Sequence, residues 1–91
     1  MLYLISYDIR DNKKRVKVMK YLKNWGYHLQ KSVFVGDSPE RSDAEEVYRE
    51  VSDTADLKTD RVFMAPLCAQ CFDKKLSAGE AVRFEEAAWV I

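Results

Sequence analysis

Apolar residues crowd the first nine positions of the chain. Leu2 to Ile9 is too continuously apolar for a strand with one wet face. It predicts a strand covered on both sides, at the centre of a sheet. The period then changes. Val18, Met19, Tyr21, Leu22 and Trp25 fall on one helical arc, and Lys13, Lys17, Lys20, Lys23 and Asn24 fill the opposite side. A helix follows, capped by Asp11 or Asn12, running to about Trp25 and stopped by Gly26. Arg15 shares the sheet-facing arc with Met19 and Leu22, so its head should emerge near the end of the first strand, close to Asp8.

Tyr27 to Val35 is a second extended region, either one kinked strand or a tight two-strand hairpin. Gly36-Asp37-Ser38-Pro39 reads as a turn. Ser42 and Glu45 have the spacing of a capping box, opening a helix whose buried stripe is Ala44, Val47, Tyr48, Val51 and Ala55. Arg61 to Leu67 is a further strand, ended near Pro66. After Cys71 the chain turns polar, and residues 77–80 read as a linker. Ala87 to Ile91 is a short apolar strand. Strand, helix, strand or hairpin, helix, strand is the order of an α+β, ferredoxin-like βαββαβ sandwich. Residues 1–76 make the domain and 77–91 a linker and extra C-terminal strand. Two helices on one face of an antiparallel sheet leave the other face open. In a chain of 91 residues that open face predicts a homodimer, with the last strand adding to the partner's sheet edge.

Composition adds one asymmetry. The 15 basic and 15 acidic residues cancel, which argues against a generic polyanion binder. Residues 10–31 nevertheless carry eight basic residues against Asp11 alone, and residues 32–56 carry eight acidic residues against Arg41 and Arg49. One face can attract a phosphate backbone while another repels it. Equally, two solvated helices of opposite sign can simply attract each other. No segment approaches the ~20 apolar residues of a membrane span. The N-terminus has no basic region before its apolar run, so a cytoplasmic protein is expected, with Cys68 and Cys71 as reduced, non-catalytic thiols.

Asp8 carries the candidate chemistry. A carboxylate between strand and helix is commonly a turn or cap residue, but Asp11 already fills the cap. One carboxylate is a thin ligand set for Mg²⁺, which prefers oxygen ligands and keeps several waters. A two-fold axis near the strand ends would bring two copies of Asp8 together. Arg15 and Lys17, with Lys13 and Lys14, can position a phosphate or stabilise its transition state. His28 is the only histidine and Lys31 closes the basic stretch. Cys68-x-x-Cys71 lacks the second pair that a structural zinc site needs. The chain has no glycine-rich phosphate loop and no Ser/His/Asp set with believable spacing.

Tyr7-Asp8-Ile9, Lys13-Lys14-Arg15-x-Lys17 and Gln30-x-Ser32-Val33-Phe34-x-Gly36 occur here in order. In these, and in Pro66-Leu67-Cys68-x-x-Cys71, the chain resembles the small CRISPR-associated endoribonuclease family. That family is the smaller of the two core spacer-acquisition proteins, and the resemblance covers about residues 1–75. It implies a ferredoxin-like homodimer with exchanged C-terminal strands and one Mg²⁺ shared by Asp8 of two protomers. It further implies catalytic roles for Asp8, Arg15 and Lys17, and contacts from Lys13, Lys14, Arg15, Lys17, His28 and Lys31 to DNA or RNA. The implied activity is metal-dependent cleavage of single-stranded RNA or double-stranded DNA. The alternative is a catalytically silent scaffold bridging dimers of the larger CRISPR-associated integrase, or a toxin-like ribonuclease of the same fold. Two departures matter. Lys17 stands for the commoner arginine, keeping charge but losing bidentate phosphate contact. His28 stands where many relatives have an arginine.

Overall fold

A computed structural model describes residues 1–76 and 78. Four antiparallel strands form one sheet in the order β2-β3-β1-β4. In chain order they are β1 (Leu2–Asp8), α1 (Asn12–Trp25), β2 (Tyr27–Gln30), β3 (Val33–Asp37), α2 (Arg41–Thr54), β4 (Arg61–Leu67) and the short α3 (Ala69–Asp73). The first six elements give the βαββαβ order of the ferredoxin-like fold. β1 lies inside the sheet, between β3 and β4, as its continuous apolar run predicts.

α1 begins where the sequence indicates. The Asp11 carboxylate accepts the Lys14 N–H at 2.9 Å, and the Gly26 N–H closes the last turn on the Leu22 carbonyl. Its core residues are Val18 and Leu22, with Met19 and Trp25 packed at the margin. Tyr21 departs from the expected arc and is exposed. It stands toward α2: burial raises the pKa of its hydroxyl, as do the nearby charges of Glu50 and Glu46. The extended region resolves into a hairpin, with a bulge between His28 and Gln30.

α2 opens earlier than the Ser42–Glu45 spacing suggests. Glu40 is the N-cap, and Asp43 reaches back to accept its N–H at 3.3 Å. Ala44, Val47 and Val51 are buried, whereas Tyr48 stays exposed beside the β4 edge. Gly36 and Asp37 extend β3 rather than turning, because Tyr3 and Leu2 pair with them. Pro66 sits within β4, where it pairs with Tyr3. β4 is an edge strand, so the missing N–H costs the ladder little.

Strand alternation divides the core in two. Ile5, Tyr7 and Phe34 pack under the helices with Val18, Leu22, Val47 and Val51. On the opposite face, Leu2 and Val35 pack against Phe72 of α3, with Leu4, Leu29 and Leu67 beside them. The second face is therefore partly covered from within, by a helix that the polar sequence after Cys71 does not announce. The proposed linker and terminal strand at residues 77–91 lie outside the described residues, apart from Ala78.

Candidate functional site

Four segments converge at one end of the sheet. β1 ends there at Asp8, β4 begins there at Arg61, and the two are paired in register. The β2–β3 turn joins them, since the Tyr7 N–H donates to the Ser32 carbonyl at 3.1 Å. α1 starts just beyond. This end gathers Asp8, Lys13, Lys14, Arg15, Lys31 and Arg61, of which Arg61 was not among the residues expected from sequence. Nothing near it in sequence marks Arg61; only the antiparallel register places it opposite Asp8.

Asp8 is exposed and its carboxylate makes no hydrogen bond or ion pair among the described residues. The unbroken register through β1 fixes its direction. Tyr7 is buried under the helices, so Asp8 points to the other face, the one that Leu2 and Leu4 share with Phe72. Ser6 lies on that same face, with Phe63 as its partner on β4. Phe63 is 59% exposed.

Arg15 occupies the helix side. Its guanidinium donates to the Ile9 carbonyl at 3.2 Å and to the Asn12 side-chain oxygen at 2.6 Å. Its charge also reaches Tyr7, whose hydroxyl pKa is raised by burial and partly lowered again by Arg15. Arg15 thus arrives at the strand end, held against the main chain there. Lys13, Lys14 and Lys17 are exposed along the first turns of α1, as is Lys31 in the hairpin turn.

His28 is less free than a surface histidine. Its ring stacks on Phe34 at 4.3 Å with planes 4° apart, and Nε2 lies 3.0 Å from the Lys31 carbonyl. Phe34 is in the helix-side core, so His28 belongs to that side as well. Asp8 thus points from one face of the sheet, while Arg15 and His28 stand on the other. The candidate metal ligand and the candidate phosphate contacts therefore stand on two faces that meet at this end of the sheet.

A buried acid supports this edge without being foreseen. Asp60 is 7% exposed and binds the loops on either side of Asp8 and Arg61. Its sequence setting, a polar loop with another aspartate nearby, gives no sign of burial. Cys68 and Cys71 lie at the opposite end of β4 and open α3, with Cys68 as its N-cap. Elsewhere, a cavity of about 370 Å³ lies between α2 and the β4 edge, lined by Tyr3, Arg41, Glu45, Tyr48, Met64 and Pro66 among others. Among the described residues no helix is long and apolar enough to cross a membrane.

The model of the family described as CRISPR associated protein Cas2 matches residues 1–75. CRISPR-associated endoribonuclease Cas2 4 of Rhodospirillum rubrum is 37% identical over 82 residues, covering 88% of this chain and 64% of that protein's own length. A hypothetical protein of Thermus thermophilus, known from its crystal structure, is 36% identical with a TM-score of 0.65, covering 74% of this chain and 80% of its own. The crystal structure of Streptococcus pyogenes Cas2 at pH 6.5 superposes with a TM-score of 0.76 at 21% identity. That match covers 87% of this chain and 100% of the other. It shares the fold.

Proposed function

The chain belongs to the CRISPR associated Cas2 family, and on that premise we propose that it serves CRISPR spacer acquisition as a nucleic-acid-binding homodimer with Mg²⁺-dependent phosphodiesterase activity. The observation that carries this reading is the setting of Asp8. It is an unengaged, exposed carboxylate at the end of the sheet face that the two long helices leave uncovered. A second copy packed on that face would cover Phe63 and bring two Asp8 side chains toward one axis.

The donor chemistry suits Mg²⁺, which takes carboxylate oxygens and retains water. Among the described residues no three potential ligands are gathered, so a Mg²⁺ ion at Asp8 would need the partner's Asp8 and retained waters to complete its shell. When bound, the ion would neutralise charge at a scissile phosphodiester. Arg15, oriented by Ile9 and Asn12, would offer a fixed fork to a flanking phosphate. Lys13, Lys14, Lys17 and Lys31 would add unspecific attraction along the backbone. The relative from Rhodospirillum rubrum is called an endoribonuclease, which puts RNA first among substrates to try.

A second reading rests on the separation of Asp8 from the basic helix side. Basic residues that track phosphates without delivering them to Asp8 suit a scaffold that holds DNA for the larger integrase. One experiment divides the two. Purified protein and Asp8→Ala are given single-stranded RNA and double-stranded DNA, with Mg²⁺ or with EDTA. Cleavage that needs both Mg²⁺ and Asp8 supports the nuclease. No cleavage, or cleavage indifferent to Asp8→Ala, leaves the scaffold.

A further inference from the structure

Cys68 and Cys71 share one helical turn. Cys68 is the N-cap of α3 and Cys71 its third residue, three positions on and so on the same side of the turn. Both are free and exposed. They lie far along β4 from Asp8, since Leu67 pairs with Leu2 while Arg61 pairs with Asp8.

The turn that carries them is anchored. The Phe72 N–H donates to the Cys68 carbonyl at 2.9 Å and the Lys74 N–H to the Cys71 carbonyl at 3.2 Å. Phe72 itself is 5% exposed, seated on Leu2 and Val35. Two thiols in solvent, on a turn fixed by a buried aromatic, are placed to react with each other.

The surroundings also divide their roles. The backbone N–H groups of Cys71 and then Gln70 favour the Cys68 thiolate, although Cys68 forms no side-chain cap hydrogen bond. With the Cys71 thiol, they hold the Cys68 pKa below its usual range. Cys71 is raised, by its contact with Cys68 and then by the charge there. A more acidic thiol attacks first, and its neighbour resolves.

We propose that Cys68 and Cys71 form a reversible dithiol–disulfide site that exchanges with small-molecule disulfides of the glutathione type. The Cys68 thiolate attacks one sulfur of the oxidant, breaking its S–S bond and releasing one half as a thiolate. Cys71, having lost its proton, then attacks the Cys68 sulfur of the mixed disulfide and releases the second half. The protein gains one disulfide, and the oxidant is reduced to two thiols that carry the two cysteine protons. The new bond spans the first turn of α3 and so fixes the helix that seats Phe72 on the sheet.

The full chain, reduced and then treated with oxidised glutathione at neutral pH, is weighed intact without reductant. The expected product has lost two hydrogens, carries no glutathione and reverts with dithiothreitol. Cys71→Ser should stop with one glutathione on Cys68, and Cys68→Ser should react about tenfold more slowly. Circular dichroism checks that both variants stay folded, and the wild-type result stands without them. Persistent thiols, a stable mixed disulfide on the wild type, or disulfide-linked chain pairs would each overturn the site. So would capture of glutathione by Cys68→Ser as fast as by Cys71→Ser.

Discussion

The carboxylate of Asp60 accepts the backbone N–H of Arg10 at 3.1 Å, across 50 positions of sequence. The Thr59 hydroxyl donates to that same oxygen at 3.2 Å, and the other oxygen accepts the Asp56 N–H at 2.8 Å. One buried side chain therefore joins the loop leaving β1 to the loop entering β4. Those loops flank Asp8 and Arg61, so Asp60 sets the shape of the candidate site from beneath.

That bond predicts an acid-sensitive stability. The N–H groups of Asp56 and then Arg10 hold the Asp60 pKa below its ordinary value, outweighing the opposing effect of burial. A carboxylate that titrates lower when folded stabilises fully above its unfolded pKa of about 4, and less as pH falls through the lowered value. Asp60→Asn should thus melt several degrees below wild type at pH 7, and the gap should narrow in acid. Thermal unfolding from pH 7 to pH 2 measures it. A gap that holds constant or widens in acid would refute the assignment.

Gly36 gives a second expectation, one of packing. A Cβ built there would lie 2.6 Å from the Trp25 ring. Trp25 cannot easily yield, because its Nε1 donates to the buried Ser38 hydroxyl at 3.2 Å. Gly36→Ala should cost about 1–3 kcal/mol, as overpacking does. Urea unfolding followed by tryptophan fluorescence reads both the loss and the displaced ring. Wild-type stability in Gly36→Ala would mean that the tryptophan has room to move.

The elements most legible in sequence were those whose signals are local. The limits of α1 follow from Asp11 and Gly26, and the central place of β1 follows from a run with no polar alternation. Signals that depend on long-range pairing were not legible. Arg61 opposes Asp8 only because β1 and β4 register that way, and Asp60 is buried only because the Arg10 loop folds over it. Phe72 follows two exposed cysteines in a polar stretch, so its role as a core residue waits on the sheet face it meets. Period alone brings Arg15 to the strand end, where it meets the Ile9 carbonyl, and only the pleat shows that Asp8 faces the other side of the sheet.

If the exposed lysines at the start of α1 contact phosphates, salt dependence should report it. Each lost phosphate contact lowers the slope of log binding against log salt by about 0.7 on single strands or about 0.9 on duplex. Lys13→Ala with Lys17→Ala should lower it by roughly twice that. Lys20→Ala with Lys23→Ala removes equal charge further along the helix and should leave the slope near wild type. Fluorescence anisotropy over a salt series tests both. Equal losses in the two double variants would reduce the effect to net charge.

The proposed dimer can be tested at Phe63, away from Asp8 itself. Phe63 pairs with Ser6 on the sheet face shared with Leu4, and is 59% exposed in the single chain. An aromatic ring so exposed contributes little to the fold of its own protomer, so its loss should shift stability by no more than about 0.5 kcal/mol. Buried in a packed interface it would contribute much to association, and a carboxylate there would be doubly unfavourable, being both buried and unpaired. Phe63→Glu is therefore expected to keep its far-ultraviolet circular dichroism as a monomer and to melt below the wild type only by what association contributes, while the wild type runs as a dimer in light scattering. Cleavage or nucleic-acid retention that requires paired Asp8 residues should fall with dimerisation in that variant, although Asp8 is untouched. A wild type that is monomeric, or a Phe63→Glu variant that still dimerises, would show that the uncovered sheet face is not where two copies meet.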